Sequence, residues 1–272
     1  MLNLLWHEIR SRRGAMIGWA IGLTLFALMY TLIYPEMQDQ MASLADLSIY
    51  QAMGIEVATF EGYLGSTVIG FVPILLGVYA ILTSTATLAG EEDDGTLELL
   101  LTTRLPRWKI VTAKALALLI VTLIIVAIAG LGNMFGLSMI IDQIETSVTG
   151  GAVFAVVLSS VPLVWAFMMI GLFLGSLLPT RRLAMMVGLI IFILSYFGEN
   201  IGNMVEVMEG VKPLSLFTYF DSSSTAFADG VAAGDVAVLL TVSLVAFALA
   251  VFSFQRRDVT VGNWPWQRVR ID

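Results

Sequence analysis

Six apolar stretches, each about long enough to cross a bilayer, constrain the fold of this chain more than any other feature. They are Gly14–Tyr34, Gly65–Ala89, Ile110–Phe135, Ala152–Leu178, Leu183–Ile201 and Val236–Phe254. A transmembrane helix needs about 20 mostly apolar residues, and it satisfies its backbone hydrogen bonds internally. Charged residues make up 13% of the chain, whereas soluble domains contain about 25%. We therefore predict an all-α membrane protein with six transmembrane helices and a single transmembrane domain over residues 1–272.

The basic residues lie on one side of this six-span arrangement. Of the 14 Lys and Arg residues, 13 lie before span 1, around the start of span 3, between spans 4 and 5 or after span 6, and the exception is Lys212. Because basic residues accumulate on the cytoplasmic side, we predict cytoplasmic N and C termini in the plasma or inner membrane. The outer side holds 13 of the 21 acidic residues, which is typical of a solvated surface and also compatible with a cation-attracting vestibule.

Residues 1–13 have the pattern of an amphipathic helix at the membrane interface. The apolar residues at helical spacing are Leu2, Leu5, Trp6 and Ile9. The other positions are occupied by His7, Glu8, Arg10 and Arg12. We expect His7 to lie at the level of the lipid headgroups.

Several local signals refine the spans and their connections. The uncharged run Gly14–Pro35 is longer than the apolar part of a signal peptide, so we expect a retained first span. Apolar residues within 35–64, among them Met37 and Met41, indicate short surface helices before span 2. Pro73 and Pro162 predict kinks in spans 2 and 4. The small-residue spacings Gly132–Gly136 and Gly171–Gly175 allow close helix packing, within one chain or between two.

The most distinctive segment follows span 2. Four acids, residues 91–94, stand at its start and Arg104 at its end, placements that suit the dipole of a short helix. The leucines on one face are Leu97, Leu100, Leu101 and Leu105, and Pro106 ends the pattern. We predict a helix of about three turns on the cytoplasmic membrane surface over residues 91–104. From the residues alone, an ordinary amphipathic connector and a docking surface for a protein partner both stay open.

This segment resembles the pattern of ABC-2 type permeases, the membrane subunits of type V ABC exporters. The residues that carry the resemblance are Glu91, Glu92, Gly95, Thr96, Leu97, Glu98, Leu100, Leu101, Pro106, Arg107 and Lys114. One departure is Arg107-Trp108, where the family often has Ser-Arg. Weaker similarity extends over essentially the whole chain, including Gly18–Leu23, Pro213–Ser215 and Arg256–Asp258. The group includes permeases associated with copper-enzyme maturation and with antibiotic export.

The resemblance implies a coupling helix over residues 91–104 that docks on a separate ATPase subunit. Its candidate docking residues are Glu91, Glu92, Gly95, Thr96, Leu97, Glu98, Leu100, Leu101 and Arg104. Residues 2–13 would form the adjacent connecting helix, with Leu5, Trp6, Ile9 and Arg10 as its candidate contact residues. The resemblance also implies a homodimer in the lipid bilayer that works with two ATPase subunits. ATP and Mg would be bound by those partners, and no nucleic acid partner is expected.

The chain lacks the residues for several other functions. A P-loop needs a lysine directly after a glycine, and Lys109, Lys114 and Lys212 do not follow one. There is no cysteine and only one histidine, so we predict no metal site, no cofactor and no catalytic residue. The middles of the six stretches contain no ionisable residue, which argues against a proton or ion carrier. An ABC exporter permease is our prediction, and an ATP-independent transporter or channel and a membrane scaffold that anchors an ATPase are the alternatives.

Overall fold

The computed structural model describes residues 1–45, 59–91, 95, 105–204, 210, 212–221 and 223–256. All regular structure within these ranges is helical, and six helical stretches are long and apolar enough to cross a membrane. They are span 1 (Arg13–Ala45), span 2 (Phe60–Gly90), span 3 (Arg107–Ile140), span 4 (Gly150–Leu177), span 5 (Arg181–Met204) and span 6 (Ala233–Arg256). The prediction of an all-α protein with six spans is confirmed.

Span 1 is longer than the sequence predicted. The helix does not end at Tyr34 but passes through Pro35 and continues to Ala45, so 35–45 does not form separate surface helices. A proline inside a helix removes one backbone hydrogen bond. Tertiary packing offsets that loss here, because the Tyr34 ring lies 5.1 Å from the ring of Phe60 and 4.9 Å from that of Tyr63. Residues 46–58, the rest of the predicted surface-helix region before span 2, lie outside the described ranges.

Spans 2 and 4 are irregular next to Pro73 and Pro162, the positions at which the sequence predicts kinks, and the kinks themselves stay a prediction. Span 2 contains a π-helical turn, Gly65–Ile69, that ends four residues before Pro73. Span 4 consists of two helices, Gly150–Leu158 and Ser160–Leu177, and the first ends four residues before Pro162. A proline ring clashes with the carbonyl of the residue four positions earlier and cannot donate to it. These two irregularities therefore fall where the helical hydrogen bond is lost, whereas a second π-helical turn in span 2, Ala86–Gly90, has no proline beside it.

The two small-residue spacings pack within the chain. Gly171 and Gly175 bring span 4 against span 2, where Gly171 contacts Ser84 and Gly175 faces the backbone of Thr85. Similarly, Gly132 and Gly136 of span 3 pack against Thr24 and Thr31 of span 1. Spans 2, 3 and 4 form the centre of the bundle, whereas a smaller share of the residues of spans 1, 5 and 6 is buried.

The N-terminal helix and one end of each of the six spans meet at one end of the bundle, which we call the basic end. It contains the N-terminal helix Leu2–Ser11, the start of span 1, the end of span 2, the start of span 3, the ends of spans 4 and 6 and the start of span 5. Arg107 of span 3 donates to the carbonyl of Phe254 in span 6 at 3.2 Å, and Ser253 donates to the carbonyl of Ser176 in span 4 at 3.0 Å. The predicted N-terminal helix is confirmed, and it packs against the first half of span 3.

At the opposite end, a turn before span 6 is held on the bundle by aromatic packing. A 3₁₀ turn, Phe217–Tyr219, folds back onto the bundle between span 5 and span 6. The ring of Phe217 packs against Phe167 of span 4 and Phe192 of span 5, with centroid distances of 5.7 and 5.4 Å. A short helix, Ser224–Asp229, then leads to span 6. The 3₁₀ turn before span 6 is therefore packed into the end of the bundle opposite the basic end.

Candidate functional site

Most of the predicted coupling helix lies outside the described residues. This applies to Glu92, Thr96, Leu97, Glu98, Leu100, Leu101 and Arg104, so their docking role stays a prediction. The structure places Glu91 at the end of span 2 and Gly95 in a turn with φ of +70°. This left-handed conformation favours glycine and interrupts a right-handed helix. The prediction of one unbroken helix over 91–104 is therefore wrong at Gly95, although a shorter helix after it remains a prediction.

The N-terminal helix presents different candidate residues to the bundle and to the surroundings. Leu5 and Ile9 are partly buried, and Ile9 packs against the hydrophobic core. Trp6, with 66% of its surface exposed, and Arg10 face away from the bundle. The structure thus divides the four predicted contact residues into two that hold the helix on the bundle and two that are open to a partner or to lipid.

A buried lysine joins three elements at the basic end. Lys114 of span 3 is 1% exposed, and its Nζ lies 2.5 Å from Oε1 of Glu8 in the N-terminal helix. The same Nζ lies 2.5 Å from Oε1 of Glu91 at the end of span 2. Glu8 is itself buried, whereas Glu91 is partly exposed. One ammonium group therefore connects the N-terminal helix, span 2 and span 3.

Arg12 extends this contact to a second point on span 2. Its Nη2 lies 3.4 Å from the other carboxylate oxygen of Glu8 and donates to the Thr87 hydroxyl at 2.9 Å. We call the five residues Glu8, Arg12, Thr87, Glu91 and Lys114 the ionic junction. It contains two cations and two carboxylates, so its formal charges balance. This balance matters because an unpaired charge in a low-dielectric setting is costly, whereas a paired and hydrogen-bonded one is tolerated.

The sequence motif predicted part of the ionic junction. Lys114 and Glu91 belonged to the motif residues, and Lys114 was placed near the end of a span. Glu8 was missed, because the helical pattern placed it among the polar positions, and the structure turns it and Arg12 toward the bundle. A signal was present: Glu8 is the only acid before Glu36, and it stands four residues before Arg12. An acid and a base at that spacing lie on one face of a helix.

The described residues also line a partly open apolar cavity of about 270 Å³ between spans 3, 4 and 6. Its lining includes Leu116, Trp165, Met169, Leu240 and Phe247. No group of three His, Asp or Glu side chains within the described ranges is arranged to hold a metal ion. Within the described ranges, three features are suited to binding a partner or cargo or to transmitting movement: the ionic junction, the surface of the N-terminal helix and apolar crevices between spans.

Comparison with known families identifies the chain. A family model described as ABC-2 family transporter protein matches residues 2–259. The match begins in the N-terminal helix and includes all six spans and the segment that connects spans 2 and 3. No curated protein matches the chain. The match confirms the resemblance drawn from the motif residues, and the chain belongs to the ABC-2 family of transporter proteins as a multi-pass permease.

Proposed function

We propose that this protein is the membrane subunit of an ABC exporter that couples ATP hydrolysis by a separate ATPase subunit to the efflux of its cargo. The observation that carries this proposal is the family match over residues 2–259, which includes the ionic junction and the motif after span 2. ATP and Mg are bound by the partner, and this chain receives the resulting movement.

The ATPase docks at the basic end in this proposal. The segment 91–104 provides one part of the docking surface, and Trp6 and Arg10 on the outward face of the N-terminal helix provide the other. Their exposure supports this assignment, because a contact residue must be open before the partner binds. The basic end then faces the cytoplasm of a cell bounded by a plasma or inner membrane, in agreement with the side on which 13 of 14 basic residues lie.

The working unit is a homodimer with two ATPase subunits. Six spans are about half of a full transporter of this type according to the resemblance. The exposed outer surfaces of spans 1, 5 and 6 leave ample area both for a second copy and for lipid.

The cargo is apolar or amphipathic. The cavity of about 270 Å³ between spans 3, 4 and 6 has a mostly apolar lining, which supports a cargo that is soluble in the membrane. Lys114, the buried ionisable residue of span 3, is already neutralised by two carboxylates, so it is a poor candidate for a residue that binds a transported ion. Ion and proton carriers usually keep ionisable groups at depth in their spans.

The experiment replaces the docking face of the segment after span 2. We expect Glu92→Gln, Leu97→Ser and Leu100→Ser together to abolish capture of a P-loop ATPase from native membranes and ATP-driven efflux, while membrane insertion is retained. The reason is that the leucines lose the apolar face that a groove in the partner would bury. Pull-down with mass spectrometry measures the capture, and inverted vesicles measure efflux.

A matched control alters the opposite end, with Leu214→Ser and Asp142→Asn at exposed positions. These changes should leave ATPase capture intact. Unchanged capture by the triple variant would contradict the proposed docking role. Efflux that persists without ATP would favour a secondary transporter, and ATPase capture without any movement of cargo would favour a membrane scaffold.

A further inference from the structure

Lys114 makes long-range contacts that the membrane insertion of span 3 does not require. Its two carboxylate partners are 106 and 23 residues away in the sequence, and they come from separate helices. The lysine itself is almost completely buried, so water cannot replace either partner without a rearrangement of the bundle. Lys114 therefore joins helices that the chain connectivity does not hold together.

The two partners stand at the places where the proposed ATPase would act. Glu8 lies on the inner side of the N-terminal helix, whose outer side presents Trp6 and Arg10. Glu91 directly follows Gly90, the last residue of span 2, and is the first residue of the predicted docking segment; the turn at Gly95 follows four residues later. Each proposed docking element is thus bonded, through one carboxylate, to the same atom of span 3.

Separation of these elements is opposed by electrostatics. If the N-terminal helix moved alone, Lys114 would lose Glu8 and the local charge would no longer balance. If the end of span 2 moved alone, Lys114 would lose Glu91. Arg12 strengthens the same arrangement, because it bonds both to Glu8 and to Thr87 of span 2. Joint movement of all three elements preserves every one of these bonds.

We propose that Lys114 is a positioning residue that makes the N-terminal helix, the end of span 2 and span 3 move together when the ATPase subunits close. This inference rests on the proposed function. Lys114 contacts neither ATP nor cargo in this role, and its effect is to deliver movement from two docking elements to one span.

The test measures movement directly, and the chain suits it because it contains no cysteine. Cysteines are introduced in pairs at exposed positions for spin labels, in the complex of the full chain with its ATPase in lipid nanodiscs. The pair Asn3→Cys and Trp108→Cys reports the distance from the N-terminal helix to span 3. The pair Trp108→Cys and Arg182→Cys reports the distance from span 3 to span 5. Distances are recorded without nucleotide and with ATP bound to a hydrolysis-deficient ATPase.

In the unsubstituted background we expect ATP to change the distance from span 3 to span 5 and to leave the distance from the N-terminal helix to span 3 fixed. Lys114→Met should broaden the distribution of distances between the N-terminal helix and span 3. It should also lower the ratio of shifted to unshifted molecules in the span 5 pair by about fivefold or more, which is the size of a typical coupling between sites. Glu91→Gln should also lower that ratio. Because Glu91 is partly exposed, we expect this variant to fold even if Lys114→Met does not, and it then provides the test.

Two controls separate positioning from general damage. Lys114→Arg keeps the charge and should retain the ATP-dependent shift, and Arg13→Gln removes an exposed charge at the same end and should also retain it. If Lys114→Met or Glu91→Gln folds, captures the ATPase and keeps the full shift, the inference is overturned. If the unsubstituted chain captures no ATPase or shows no shift with ATP, the proposed function fails, and the inference fails with it.

Discussion

The two ends of the bundle both attach an irregular or surface segment to a span, but they use different chemistry. At the basic end, the ionic junction attaches the N-terminal helix to spans 2 and 3 through Lys114, Glu8 and Glu91. At the opposite end, the segment before span 6 is attached to span 5 by neutral groups. Ser215 donates to the carbonyl of Ser195 at 2.6 Å, and the backbone N–H of Leu216 donates to the Ser195 hydroxyl at 2.8 Å. We call Ser195, Ser215 and Leu216 the serine junction.

The difference lies in what remains when one partner is lost. A charged group without its partner in a low-dielectric region leaves an uncompensated charge, and this costs far more than a lost neutral hydrogen bond. A hydroxyl in a helix has a neighbouring backbone carbonyl as an alternative partner. The ionic junction should therefore hold one geometry firmly, whereas the serine junction should tolerate small displacements with the aromatic packing of Phe217 around it.

The largest expected effect concerns the charge of the ionic junction. Lys114→Met should lower the free energy of unfolding by about 3–5 kcal/mol, because it leaves two carboxylates without their shared cation. Denaturant titration of the purified protein in detergent measures this change. Lys114→Arg retains the charge and should lose much less. A loss below about 1 kcal/mol for Lys114→Met would show that the two junctions do not differ in the way argued above.

A second substitution distinguishes charge from packing at the basic end. Gly175→Ala would place a Cβ 2.9 Å from the carbonyl oxygen of Thr85, and that backbone atom cannot rotate away. We expect a loss of about 1–3 kcal/mol from overpacking, measured by the same titration. Gly18→Ala is the matched control, because a Cβ at Gly18 meets no atom within 4 Å. Equal stability of the two alanine variants would mean that spans 2 and 4 separate easily.

The smallest effect is expected at the serine junction. Ser195→Ala removes the acceptor of the Leu216 N–H and should lower the free energy of unfolding by about 1 kcal/mol, since hydrogen bonds between membrane segments are individually modest. Thermal unfolding followed by tryptophan fluorescence detects the change. Ser138→Ala, at an exposed serine that bonds only within its own helix, should have almost no effect. A loss as large as that of Lys114→Met would remove the contrast between the two ends.

The number and approximate places of the spans were predictable because hydropathy acts locally along the chain. Each predicted apolar stretch lies almost entirely within one observed span, and the prolines at 73 and 162 correctly marked irregular helix. The end of span 1 was not predictable from the same signal. Pro35 normally stops a helix, and the tertiary contacts of Tyr34 with Phe60 and Tyr63 that stabilise its continuation here are not encoded locally.

The candidate site was predictable only in part, for a similar reason. Glu91 and Lys114 stand in a recognisable motif, so their importance was visible in the sequence. Their partner Glu8 is 106 residues from Lys114, and a helical pattern treats each helix as if it faced only membrane and water. The inward face of the N-terminal helix is set by a contact with span 3 that no local pattern encodes. The left-handed conformation at Gly95 was likewise not predictable, because the four acids before it indicated the start of a helix.

The length of span 1 sets a limit on the bilayer that this protein fits. The helix Arg13–Ala45 has 33 residues, and at 1.5 Å per residue it is about 50 Å long. The hydrocarbon layer is about 30 Å thick, so the helix must tilt or project beyond it. Its first charged residue after Arg13 is Glu36, which lies about 35 Å further along the helix axis. These two charges bracket an apolar length only slightly greater than an average membrane. In a markedly thicker bilayer, one of them would have to enter hydrocarbon or the lipid would have to thin around span 1.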